Sequence, residues 1–185
     1  MIISYKFRLY PSAKQQDRLK KQFAICREVY NILLSESKEA EVYSRGDLYL
    51  LVRDIKLTSP SYYGIVHSQV LQNVADRLSK SYDYFFQGIK QTKLNSGFPR
   101  FKSQIKSITY PQTGFKFLNE RRLYVSKIGN LPIVLHRIPK GNIKTFTIKQ
   151  NVAGQWFATI CCEVKNQASR NHSCPEESVG IDVGI

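Results

Sequence analysis

Residues 2–10 alternate, with Ile3, Tyr5, Phe7 and Leu9 on one side of an extended chain and Ser4, Lys6, Arg8 and Tyr10 on the other. Period-two alternation marks a half-buried strand, because successive strand side chains point to opposite faces. Pro11 stops the strand, and no second strand pattern follows until after Gly97. A lone strand has to find its ladder elsewhere. The pattern therefore expects residues 1–10 to join a later sheet, with the segment between as an insertion.

That segment, residues 11–96, reads as helical. Ser12 and Gln15 have the spacing of a capping box, and Phe23, Cys26, Tyr30 and Leu33 or Leu34 recur at helical spacing, so a helix is expected to about Tyr43. Arg45-Gly46-Asp47 reads as a break. A short helix is expected over 47–57, then a turn between Pro60 and Gly64. Val70, Leu71, Val74, Leu78, Tyr82, Phe85, Phe86 and Ile89 form one stripe over 65–92, which is core by default. The opposite edge carries Gln69, Gln72, Asn73, Asp76, Arg77 and Lys80. It is either solvent surface or an edge whose amides read adenine.

After Gly97 the period returns to two. Strands are expected near 107–117, 122–126, 131–136, 143–150 and 155–164, the last two joined by a hairpin loop at Asn151–Gly154. Residues 97–165 thus complete the β domain, 166–178 form a polar linker, and 179–185 are an apolar strand carrying Asp182. The expected class is α+β.

The formal net charge is +14, and between Asp83 and Glu163 the only acidic residue is Glu120. A solvated face mixes both signs; a one-signed stretch suits phosphates. A merely soluble, charged surface is the plainer alternative. The four cysteines, Cys26, Cys161, Cys162 and Cys174, show no paired spacing, so reduced thiols in the cytoplasm are expected. His172 near Cys174 lacks a second pair, and no zinc is expected in this segment. Lys6 and Arg8 interrupt the first apolar residues, and no apolar run approaches the roughly twenty residues of a membrane span.

Two places suggest chemistry. In Gly97-Phe-Pro-Arg-Phe-Lys102, Pro99 stiffens a turn that holds two rings and two cations. Phe98 and Phe101 either anchor the loop or stack on bases, with Arg100 and Lys102 on phosphate. Asp182 lies between Ile181 and Val183. It is either a strand-end residue before a glycine turn or a ligand for a hard cation such as Mg²⁺.

The chain resembles the N-terminal half of TnpB-type proteins, the OrfB products of certain insertion-sequence transposons. The resemblance is carried by Phe7-Arg-Leu-Tyr-Pro11 with Gln15 or Gln16, Arg27-Glu-Val-Tyr-Asn31, and Ser68-Gln-Val-Leu-Gln72 with Phe85-Phe86. It continues through Gly97–Lys102, Leu123–Gly129 and Gly180-Ile-Asp-Val-Gly184. It implies an RNA-guided DNA endonuclease, a relative of the compact type V CRISPR nucleases. The implied architecture is a β-barrel wedge domain split by a helical recognition domain, followed by the first strand of an RNase H-like (RuvC) domain.

Under the resemblance Asp182 is the first catalytic carboxylate and a Mg²⁺ ligand. The family's remaining acids lie further along, so this chain alone is expected not to cut DNA. The DNA duplex flanking the target is read by Gln72, with Gln69, Asn73, Thr113 and Tyr49 as further candidates. Guide RNA and the guide–target duplex are held by Arg100, Lys102, Lys106, Arg121, Arg122, Lys127, Arg137 and Lys144. The rival is a stand-alone DNA-binding regulator of a transposon. Oligomeric state is left open.

Overall fold

The computed structural model describes residues 1–91 and 97–164. Strand β1 (Ile2–Leu9) leads into a helical block: α1 (Ala13–Glu39), α2 (Arg45–Thr58), α3 (Pro60–Tyr63) and α4 (Ser68–Lys90). Six strands follow: β2 (Ser107–Tyr110), β3 (Phe115–Asn119), β4 (Arg122–Val125), β5 (Gly129–Val134), β6 (Asn142–Gln150) and β7 (Trp156–Glu163). The expected linker and the strand with Asp182 lie outside the described residues, as do His172 and Cys174.

All seven strands form one antiparallel sheet in the order β2-β6-β7-β1-β5-β4-β3. β1 is its central strand. Ile2 to Leu9 pair in unbroken register with Glu163 back to Trp156, and Arg8 and Leu9 pair on the other side with Val134 and Ile133. The sheet curls so that β3 returns toward β6, bringing the Phe115 and Phe146 rings within 5.0 Å. Inside the curl lie Tyr5, Phe7 and Leu9 of β1, with Phe146, Ile148, Ala158, Ile160, Leu123, Val125, Leu131 and Ile133. These are the inward members of each alternation, as period-two packing requires.

The helices share this core. Phe23 of α1 meets Trp156 at 5.6 Å. Gln22, fully buried on α1, is satisfied from two sides: its Nε2 donates to the Ile65 carbonyl and its Oε1 accepts from Tyr110 Oη. Ser37 and Tyr82 share a buried 2.7 Å hydrogen bond that ties α1 to α4. Burial, only partly opposed by the charge of Arg77, pushes the Cys26 thiol up to about 12, so it stays protonated and behaves as a small apolar group.

Local chemistry explains where the elements differ from their expected bounds. The Ser12–Gln15 capping box is present, but α1 ends at Glu39, and the break falls over residues 40–44. Ser44 then caps α2, accepting from the Asp47 amide, so Arg45-Gly46-Asp47 opens a helix instead of interrupting one. Pro60 starts the one-turn α3, where its missing N–H costs nothing. The expected strand 107–117 is two strands. Pro111 and Gly114, with φ +92°, turn the chain so that β2 pairs with β6 and β3 with β4. On α4 the buried stripe ends at Tyr82; Phe85 is half-buried, and Phe86 and Ile89 are exposed.

Gly141 precedes β6 at φ +95°, and a Cβ there would lie 2.5 Å from the Glu163 carbonyl oxygen. Gly141→Ala is expected to destabilise the fold by about 2 kcal/mol, from backbone strain plus displacement of the β7 end. Urea unfolding of both proteins measures this.

Candidate nucleic-acid interface

α4 begins at Ser68, and its N-terminal turn is organised by His67, whose Nδ1 accepts from the Gln69 amide at 3.3 Å. Gln69 reaches the β2–β3 turn, its Oε1 accepting from the Thr113 amide (3.1 Å) and hydroxyl (2.8 Å). The seam joins two of the expected DNA-reading residues, but it occupies the Gln69 carbonyl. Gln72, one turn further along α4, is exposed. Asn73 is half-buried and outside the cleft described next.

Gln72 and Tyr49 line one cleft of about 480 Å³ between α2, α3 and the start of α4, with Arg53, Lys56, Ser68, Val52, Leu57, Pro60 and Gly64. Tyr49 is held there by charge: its hydroxyl donates to Asp76 Oδ1 (2.6 Å) and accepts from Arg45 Nη2 (2.7 Å), while Arg45 Nε also donates to Asp76 (2.6 Å). Burial and the hydrogen bond to Asp76 raise the Tyr49 pKa, so the phenol stays a donor. Lys56 Nζ donates to Ser68 Oγ at 2.9 Å, and among the described residues no carboxylate lies within 4 Å of it. The cleft offers an amide, a phenol and two cations on a helical rim, a set that hydrogen-bonds base edges and phosphates together.

Sequence reasoning missed Arg53 and Lys56. They flank the buried Leu48–Val52–Ile55 stripe of α2 on its outward side. That signal is present in the sequence, but only the packing of α2 against α4 shows that they face Gln72.

The expected RNA-binding cations do not converge on one spot. Lys127, at φ +66° in the β4–β5 turn, lies close enough to His67 for its charge to act on that imidazole. Arg121 and Arg122 mark the β3–β4 turn. Lys106 lines a shallow depression with Lys20, Arg27 and Gln104. Arg137 lies 5.3 Å from the Tyr5 ring. Lys144 is paired with Glu163 at 2.7 Å, an exposed bridge of little stabilising value. Among the described residues the other seven have no carboxylate within 4 Å.

The 97–102 loop divides its roles. Phe98 is the anchor, packed near Tyr82 (5.4 Å) and Phe85 (5.2 Å). Phe101 points to solvent, 65 % exposed. Lys102 is fixed by Asn31, which donates to its carbonyl and accepts from its amide, and its Nζ lies 3.9 Å from the Tyr30 ring. Burial, then Arg77, lowers its pKa. With Arg100, Lys80 and Tyr84 it lines a second cleft of about 540 Å³.

Residues 1–45 match the profile of a helix-turn-helix domain, HTH_OrfB_IS605. The match supports the OrfB/IS605 transposase family. It covers β1, α1 and the turn up to the first residue of α2. It suggests DNA binding in a transposon-associated protein. No curated protein matches the chain. Among the described residues no helix is long and apolar enough to cross a membrane.

Burial first, then Lys127 and Lys56, pushes the His67 imidazole below its ordinary pKa. A histidine with a lowered folded pKa gives stability that is complete above the unfolded value of about 6.5 and is lost as pH falls through it toward the folded value. Protonation also removes the acceptor that caps α4. Acidification should therefore weaken the fold around α4, and His67→Asn, which keeps a capping oxygen, should remove this part of the loss. Urea midpoints of both proteins, followed from neutral pH to about pH 5, read the difference.

Proposed function

We propose that the chain grips nucleic acid for an RNA-guided DNA endonuclease of the TnpB kind. In this reading the α2–α4 cleft reads the duplex flanking the target, and the basic curled sheet, as the wedge barrel, holds guide RNA. The observation that carries it is the meeting of Gln72 and Tyr49 in one cleft with Arg53 and Lys56. Tyr49, Arg53 and Lys56 come from α2 and Gln72 from α4, and the bonds of Tyr49 to Asp76 and of Lys56 to Ser68 hold the two helices in register there. Tyr49 is held by Arg45 and Asp76, and Gln72 is left exposed.

Recognition then divides by chemistry. Gln72 suits the paired donor and acceptor of adenine in the major groove, while Arg53 and Lys56 meet phosphates and set register. Gln69 is assigned to holding the Thr113 turn, which places the sheet beside the cleft. Asp182 would be the first Mg²⁺ ligand of the nuclease site, and it lies outside the described residues. Among those residues no three His, Cys, Asp or Glu side chains cluster to hold a metal.

Selection from a duplex library with a randomised segment tests the cleft. Gln72→Ala should lower affinity for the selected sequence about tenfold, the worth of a bidentate base contact, and relax the preference at one position. Lys56→Gln should weaken all duplexes alike and reduce the log–log salt slope by about one. An unaltered preference in Gln72→Ala sinks the reading. Sequencing the RNA that copurifies with the protein separates the guide-RNA role from a DNA-only regulator, which would carry none.

A further inference from the structure

The outward faces of β1, β7 and β6 form a surface outside the cleft, which the expected cations touch only through Lys144 at its far end. Register places Arg8 beside Phe157 and Phe157 beside Lys149, with Lys6, Thr159 and Thr147 in the next row. Neighbouring strands lie about 4.8 Å apart and alternate residues about 7 Å apart, so three cations surround one ring within roughly 10 Å. Lys6 Nζ lies 4.4 Å from the Phe157 ring centre. Arg8 lies 5.0 Å from that ring and 5.6 Å from the Tyr10 ring.

The face is one-signed. Among the described residues Lys6, Arg8 and Lys149 have no carboxylate within 4 Å, and Glu163 at its far end is taken by Lys144. Holding the cations against rings fixes their stems without neutralising them. The rest of the face is mostly small and polar: Thr147 shares a 2.8 Å hydrogen bond with Thr109, which also accepts from Arg77, Ser4 Oγ meets Cys161 Sγ at 3.3 Å, and Thr145 and Thr159 are half-buried. A protein partner docking on an open sheet face would call for a broad apolar patch, and this face has two rings, Phe157 and Tyr10, among polar groups and cations. A duplex offers phosphates but keeps its bases stacked inside, so the rings would go unused. Single strands use both, since bases stack on rings and guanidinium planes while cations follow the backbone.

We propose that the outer face of β6, β7 and β1 binds unpaired nucleotides, with Phe157 and Tyr10 receiving bases and Lys6, Arg8 and Lys149 meeting phosphates. The proposal deepens the nucleic-acid-holding role given to the sheet above and rests on that reading, while using none of the α2–α4 cleft.

The test is anisotropy with short fluorescein-labelled oligo(U), oligo(dT) and a blunt duplex, on the full chain. Phe157→Leu should weaken single-strand binding about tenfold, and Phe157→Tyr should restore it. Joint replacement of Lys6 and Arg8 by Gln, both away from the core, should flatten the single-strand salt slope by about 1.4. A preference of either oligomer over the duplex supports the proposal, and the oligo(U) to oligo(dT) ratio tells RNA from DNA. Unchanged affinity in folded Phe157→Leu together with an unchanged slope in the Lys6/Arg8 variant overturns it. So does equal competition by polyglutamate. Gln72→Ala should leave oligomer binding intact, so failure of the cleft and failure of this face give different results.

Discussion

The pairing of β1 with β7 is the interaction on which the rest depends. It joins Ile2–Leu9 to Trp156–Glu163 and makes the first strand the middle of the sheet. Closing so long a loop costs conformational entropy, though the cost grows only slowly with length. It is offset by burying Tyr5, Phe7 and Leu9 at the centre of the core. The helical block thereby runs from the central strand of the sheet to its edge strand β2. Its position against β2 and the β2–β3 turn follows, through Arg77 on Ser107 and Thr109 and through Gln69 on Thr113.

Charge is the second constraint. A chain with a net +14 repels itself when compact. The carboxylates are already counted in that sum, and some of them also hold structure. Asp76 holds Arg45 and Tyr49, and Glu28 accepts from both Tyr62 and Tyr63. Most cations of the sheet are instead laid along rings or left in solvent. Such a surface is completed by a polyanion, and counterion release makes that completion sensitive to salt.

Much of the fold was legible because its periods are clean. The β1 alternation, the Ser12 capping box and the Asn151–Gly154 hairpin each rest on neighbours in sequence, where local chemistry decides. The division of 107–117 was less legible, because a continuous β-like stretch hides a turn that only Pro111 and Gly114 betray. The cleft was partly legible. Gln72 and Tyr49 were named through the resemblance, whereas Arg53 and Lys56 emerge only when α2 packs on α4. The Lys6–Arg8–Phe157 cluster is a cross-strand product: its parts lie far apart in sequence, and period two says that they face outward but not which strands adjoin. The roles of Phe98 and Phe101, left open by the sequence, are divided by burial.

The central place of β1 also sets a schedule. The first strand leaves the ribosome early, but its main partner follows about 150 residues later, roughly 8–30 s at ordinary synthesis rates. Through that interval β1 has two unsatisfied edges and an apolar face, while the helical block already has its own tyrosine and leucine core to collapse on. The helices thus act during synthesis as a nursery for a strand that belongs to another layer. A slow codon or an early stop before β7 would leave a helical island with a sticky tail.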